Sequence, residues 1–375
     1  MRRFIHSFLS AAGALVFVAC TAEFTGFEVP TGNATGTGGQ GQTGDTVGNA
    51  SGSGGMLQTV GTGGAVTGST GTGTGTSTGT GTGGGGGSVE SVPDPNLEGP
   101  FKIAKLTDTF VVPSTGHSVK MYASYPTAGP KAGPYPVILV GHGFQTSVSQ
   151  YESYLQRLAT FGYVAIAPDF PAPFIGNKHL DNGRDLDAGL DWALTNATLK
   201  GLVDANNAGA TGHSLGGKAA VLAAAADPRI KASITLDPVD SSVFCSLEDC
   251  PDASNKLPLP IPMGFVGETL DGSGSFQPCA PAADNFQTFF AKTSGPSLQV
   301  EVLGANHLSF TDNPNGGFCK TPTAKHDDVL ALSHAMVVAF YERHLRGKSG
   351  YEAYLTGSEA KARYVATGLA LIQSK

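Results

Sequence analysis

Basic residues are scarce in this sequence: 23 lysines and arginines stand against 30 aspartates and glutamates, a formal net charge of −7 over 375 residues. They form no stripe or run, which argues against a surface built for nucleic-acid phosphates. Neither CxxC nor HxxxH spacing occurs, and the nine histidines are scattered, so no metal centre and no cofactor is expected. No apolar run approaches the ~20 residues of a bilayer-spanning helix. Large apolar residues are also thin between Thr31 and Gly87, where runs such as Gly71-Thr72-Gly73-Thr74-Gly75 dominate. Such a segment has too little apolar surface to offset the entropy of ordering it.

What is present begins with a leader. Met1-Arg2-Arg3 supplies positive charge, and a short apolar stretch runs from Phe8 to Ala19. Residues 1–19 therefore read as an export signal peptide. Phe17-Val18-Ala19-Cys20 resembles a bacterial lipoprotein box, which implies a lipidated Cys20 and a membrane anchor at the new N-terminus. Thr21 in place of aspartate points to the outer membrane or cell surface; without lipidation the protein would be secreted. Residues 20–98 then form a disordered tether, reaching on the order of 50 Å as a flexible coil. Residues 99–375 remain for one folded domain. Export makes disulfides expected for the other four cysteines. Of three possible pairings, Cys245–Cys250 as a local clip and Cys279–Cys319 as a longer staple are favoured.

From Phe101 onward apolar runs alternate with helical stretches. Strands are expected at 110–112, 119–122, 137–140, 163–167, 208–211, 232–236, 263–266 and 298–303. Helices are expected at 150–161, 184–195, 215–226, 284–291 and 327–345. Repeated strand-then-helix order means an α/β fold with a mostly parallel central sheet covered on both faces. Ligands of such sheets bind beyond the carboxyl ends of the strands. The stretch from Pro238 to Pro260 is too short for a large lid, so an open cleft is expected.

The sharpest chemical signal is Gly212-His213-Ser214-Leu215-Gly216 between a strand and an alanine-rich helix. A G-x-S-x-G turn presents serine in strained backbone, and side chains at the flanking positions would collide. Ser214 is the candidate nucleophile. A backbone N–H at Leu215 and one from the Gly141-His142-Gly143-Phe144-Gln145 loop, Phe144 first and Gln145 next, would form an oxyanion hole. His142 reads as a structural hydrogen-bonder. A base must follow the nucleophile, and Gly304-Ala305-Asn306-His307 lies between the last parallel strand and the last long helix, making His307 the candidate. His326, His334 and His344 read as exposed or capping residues. Asp237 and Asp271 each end a strand and either could orient His307; spacing alone does not choose. Asp240 is a weaker third option.

These motifs carry a resemblance. The stretch Gly212 to Ala220, the Asp237-Pro238-Val239-Asp240 segment, Pro278-Cys279-Ala280-Pro281, the His142-Gly143-Phe144 loop and Phe161 to Pro168 are similar to the chlorophyllase family of α/β-hydrolases. The resemblance implies an α/β-hydrolase fold and a serine carboxylic-ester hydrolase with no cofactor, acting on a small-molecule or polymeric ester. It places the triad acid at Asp237, as in platelet-activating-factor acetylhydrolases; cutinase-like polyester hydrolases would place it at Asp271. Asp237 is preferred. Polyester or lipid hydrolysis by the same triad is the alternative activity, and a non-catalytic, surface-anchored binding protein on the same fold is the alternative class. The oligomeric state is left open by the sequence.

Overall fold

Seven consecutive buried residues, Tyr135–Gly141, form strand β3 at the heart of the molecule. Their alternation defines two layers. Ile138 and Val140 enter one apolar core, whereas Val137 and Leu139 enter another on the opposite face of the sheet. Burial on both faces is what gives these parallel strands their continuous apolar sequence. The computed structural model describes residues 91–241, 245–274 and 278–375. The leader, Cys20 and the glycine-rich segment before Ser91 lie outside the described residues.

Nine strands form one sheet: β1 (Lys102–Val111), β2 (Ser118–Ala128), β3, β4 (Val164–Asp169), β5 (Val203–Gly212), β6 (Ile230–Leu236), β7 (Met263–Glu268), β8 (Ser297–Val302) and β9 (Ala370–Ser374). Their spatial order is β1-β2-β4-β3-β5-β6-β7-β8-β9. The six strands β3 to β8 pair in parallel, while β1, β2 and β9 join antiparallel at the edges. This is the architecture of an α/β-hydrolase. Helices α1 (Glu152–Thr160) and α5 (His326–His344) cover one face, with Leu155, Leu158, Met336 and Phe340 in its core. Helices α2 (His179–Thr195) and α3 (Leu215–Ala226) cover the other through Leu186, Leu190, Ala219 and Ala220. A short α4 (Phe286–Ala291) packs Phe286 and Phe289 against Phe265 of β7.

The differences from the sequence reading are physical. Helix α2 begins at His179 rather than at Arg184, and β9 was not anticipated. His334 is buried rather than exposed: it stands edge-on to Tyr154 at 4.4 Å and its Nε2 lies 2.8 Å from Ser153 Oγ, because α1 packs against that side of α5. Ahead of Gly99, Asp94 pairs with Arg363 at 2.8 Å and Asn96 accepts a hydrogen bond from the Tyr364 hydroxyl. Both favoured disulfides are formed, Cys245–Cys250 and Cys279–Cys319. Between β6 and β7 the one regular element among the described residues is a 3-10 turn at Ala253–Lys256, so no large lid stands there. No helix of the described residues is long and apolar enough to cross a membrane.

Candidate active site

The end of β5 turns into α3 without room for side chains. A Cβ on Gly212 would lie 2.4 Å from the Gly216 carbonyl oxygen, and one on Gly216 would lie 2.1 Å from that of Gly141. Those two glycines let the elbow close against the end of β3. Ser214 sits at its tip with φ of 56° and ψ of −121°, a conformation most residues avoid. Its N–H donates to the Leu236 carbonyl at 3.0 Å, which fixes the elbow to β6.

The structure brings three distant residues into one line. His307 lies in the loop between β8 and α5, and its Nε2 is 2.8 Å from Ser214 Oγ. Its Nδ1 is 2.5 Å from Asp237 Oδ2 at the end of β6. A proton on Nδ1 pointing at the carboxylate leaves Nε2 free to accept the serine hydrogen. Asp237 is fully buried, and burial pushes its carboxyl above the usual range, with the hydrogen bond to His307 acting the other way.

Asp271 does a different task. Its Oδ2 accepts the backbone N–H of His307 at 2.9 Å and its Oδ1 accepts that of Lys320 at 2.8 Å. It holds the loop, not the ring. Asp240, the third option, turns away altogether: its carboxylate accepts the N–H groups of Ala253 and Ser254 and lies 3.2 Å from Lys218 Nζ. Asp271, Cys279 and Cys319 lie close enough together to suggest a metal site, but both sulfurs are consumed in a disulfide.

The N–H of Leu215 opens α3 directly after Ser214. Among the described residues neither it nor the N–H groups of Phe144 and Gln145 are taken up by another backbone group. Phe144 and Leu215 also line the cavity of about 210 Å³ that contains Ser214, together with Phe174, Val239 and Pro281. His142 lies beneath, its Nε2 3.1 Å from the Phe170 carbonyl and its ring stacked on Phe170.

Two supports escaped the sequence reading. His213, the variable residue of the G-x-S-x-G turn, is buried; its Nε2 donates to the His307 carbonyl at 2.8 Å. Its Nδ1 then accepts from the Tyr151 hydroxyl at 2.8 Å, and that oxygen accepts from the Gly143 N–H at 3.1 Å. Burial, and then the neighbouring His307, hold this imidazole well below its usual pKa, consistent with one neutral tautomer. One hydrogen-bonded strut thus joins the Phe144 loop, the serine elbow and the His307 loop. The second support is Lys218, fully buried one turn into α3, whose Nζ donates to the Asp240 carbonyl at 2.7 Å. A lysine in an alanine-rich helix was the available signal.

Glu268 ends β7 beside the Asp237 carboxylate. Burial, and then the Asp237 charge, push its carboxyl up to about 8. Unfolded, it would ionise near the ordinary glutamate value of 4.5. Its contribution to stability is therefore fully present below pH 4.5 and lost as pH rises through about 8, because the unfolded chain releases the proton first. Glu268→Gln is expected to flatten the fall in melting temperature across that window. An unchanged slope would show that another group governs it.

A model of the chlorophyllase family matches residues 111–362. Chlorophyllase-1 of Arabidopsis thaliana is 29% identical over 243 residues, covering 58% of this chain and 74% of that protein. A bis(hydroxyethyl) terephthalate hydrolase of Streptomyces coelicolor is 26% identical over 57% of this chain and 62% of its own length. Cutinase est1 of Thermobifida alba is 33% identical over 47% of this chain and 54% of its own length.

Proposed function

The chain belongs to the chlorophyllase family, a group with ester hydrolases among its relatives, and on that footing we propose that it is a serine carboxylic-ester hydrolase working through an acyl-enzyme. The observation that carries this reading is the line from Ser214 Oγ through His307 to Asp237, at 2.8 and 2.5 Å.

His307 Nε2 takes the Ser214 proton as Oγ attacks the ester carbonyl. The oxygen turned anionic by that attack is stabilised by the N–H groups of Leu215 and Phe144, the N-terminus of α3 adding its positive end. The tetrahedral intermediate collapses, and the alcohol leaves with the proton held on His307. Water, deprotonated by the same nitrogen, then attacks the acyl-serine and releases the acid. Asp237 holds the imidazole in its working tautomer and stabilises the imidazolium that forms in each half. The chemistry needs no cofactor.

The cleft supports a small or exposed ester. Its volume of about 210 Å³ is below the ~300–1,000 Å³ of pockets that enclose a drug-sized ligand. The terephthalate ester in the name of the Streptomyces relative is a compound of that kind, and a polyester chain end is another. We read residues 1–19 as a signal peptide, 20–98 as a tether anchored through lipid on Cys20, and 99–375 as the catalytic domain. Two disulfides support export, since such bonds persist outside reducing compartments.

The test is turnover of 4-nitrophenyl butyrate by the purified chain, with methanol added. An acyl-enzyme predicts methyl butyrate alongside butyric acid, in a ratio independent of the leaving alcohol. No turnover of any short-chain ester would leave a surface-anchored binding protein as the better reading.

A further inference from the structure

Two buried carboxylate oxygens beside the triad are left over once its hydrogen bonds are assigned. Asp237 Oδ2 lies 2.5 Å from His307 Nδ1, yet Asp237 Oδ1 has no partner among the described residues. Glu268 Oε2 accepts the N–H groups of Leu270 and Asp271, yet Glu268 Oε1 has no partner either. Asp237 is 0% and Glu268 2% exposed, so bulk solvent does not supply the missing donors. An ionised carboxylate only accepts, and a buried acceptor without a donor is costly.

The sheet sets the two residues side by side. Leu236 and Val266 are partners in the β6–β7 ladder, and the Asp237 N–H donates to the Val266 carbonyl at 2.6 Å. Glu268 stands two residues beyond Val266, so at strand spacing its Cα lies roughly 6 Å from that of Asp237. Each also acts on the other. Burial raises both carboxyls; after it, the Asp237 charge pushes Glu268 up to about 8, whereas His307 and then the Glu268 amide pull Asp237 back down.

One proton answers the whole arrangement. Placed on Glu268 Oε1, it turns an acceptor into a donor, and Asp237 Oδ1 can receive it. The negative charge then belongs on Asp237, which bonds the His307 ring. Glu268 instead meets two carboxylates, Asp237 from beyond the end of β6 and Asp271 from the loop after β7.

We propose that Glu268 is a positioning residue for the triad: it stays a carboxylic acid, donates from Oε1 to Asp237 Oδ1, and so holds Asp237 as the anion that orients His307. The proposal rests on the serine-esterase reading above, and its two readouts separate them, since one follows the proton and the other follows turnover.

The first readout is infrared difference spectroscopy of the full chain between about pH 6 and 10. Wild type minus Glu268→Gln is expected to show the C=O stretch of one buried carboxylic acid, lost as pH rises through about 8. The subtraction is needed because burial, and then Asp227, push Asp187 of α2 up to about 7. The second readout is kcat on 4-nitrophenyl butyrate over the same range. Once Glu268 ionises, two adjacent carboxylates repel, and Asp237 turns away from the ring whose tautomer it sets. The wild type is expected to lose about tenfold in kcat between about pH 7 and 9.5 with KM little changed. Glu268→Gln is expected to lose less than about twofold over that interval, because its amide keeps donating.

No carboxylic-acid band in the subtraction would overturn the shared proton. Equal alkaline losses of kcat in both proteins would overturn its part in positioning Asp237. No turnover with the band intact would remove the esterase reading, and the role of Glu268 in it, while leaving the shared proton. Should Glu268→Gln fail to fold, the band is sought in Asp187→Asn, where the other raised carboxyl is gone; its absence there would equally overturn the proposal.

Discussion

Ser214→Ala is expected to lower kcat/KM on 4-nitrophenyl butyrate by about 10⁵–10⁶, the scale seen when a serine nucleophile is removed from a triad. Alanine keeps the Cβ that the elbow already accommodates and removes only the oxygen 2.8 Å from His307. The fold therefore has little reason to change, and the melting temperature should stay close to that of the wild type. Some acceleration over water should persist, because the substitution leaves the proposed oxyanion hole at the N–H groups of Leu215 and Phe144 in place. A variant as active as the wild type would remove Ser214 from the mechanism.

The second large effect separates the two carboxylates at the strand ends. Asp237→Asn is expected to cost about 10⁴ in kcat. Its amide would donate to His307 Nδ1 and force the ring proton onto Nε2, the nitrogen that must accept from Ser214. Asparagine tolerates the positive φ of 42° at this position better than other replacements, so the variant tests chemistry more than folding. Asp271→Asn should cost much less, about ten- to hundredfold, since it weakens one of two backbone hydrogen bonds and shifts the His307 loop without touching its tautomer. A larger loss at Asp271 than at Asp237 would invert the two roles.

That contest also marks where the sequence stopped being legible. The elbow was readable because glycine is forced wherever two backbones meet, as Gly212 and Gly216 do with each other and with Gly141. His307 was readable from its place between the last parallel strand and the last long helix. The choice between Asp237 and Asp271 was not, because the two carboxylates lie just beyond the ends of neighbouring strands and both bond His307, one at the ring and one at the backbone.

Other misses have the same origin in long-range contact. The first turn of α2, His179 to Asn182, is polar and looks like loop; its burial comes from packing on the disulfide-clipped segment that ends at Cys250. The strand β9 is five residues long and exists by pairing with β8 after a turn at Gly368, so no local period announces it. The strut from Gly143 through Tyr151 and His213 to His307 joins residues up to 164 positions apart in no recognisable spacing. Buried polar residues acquire their roles from partners that only the fold supplies.

The most direct measurement is peptide mapping of the protein after reaction with an alkyl fluorophosphonate, which traps an activated serine as a stable adduct. The account predicts one equivalent of label on the peptide containing Ser214, and none when His307 is replaced by alanine. Label on a different serine, or none on the intact protein, would contradict it.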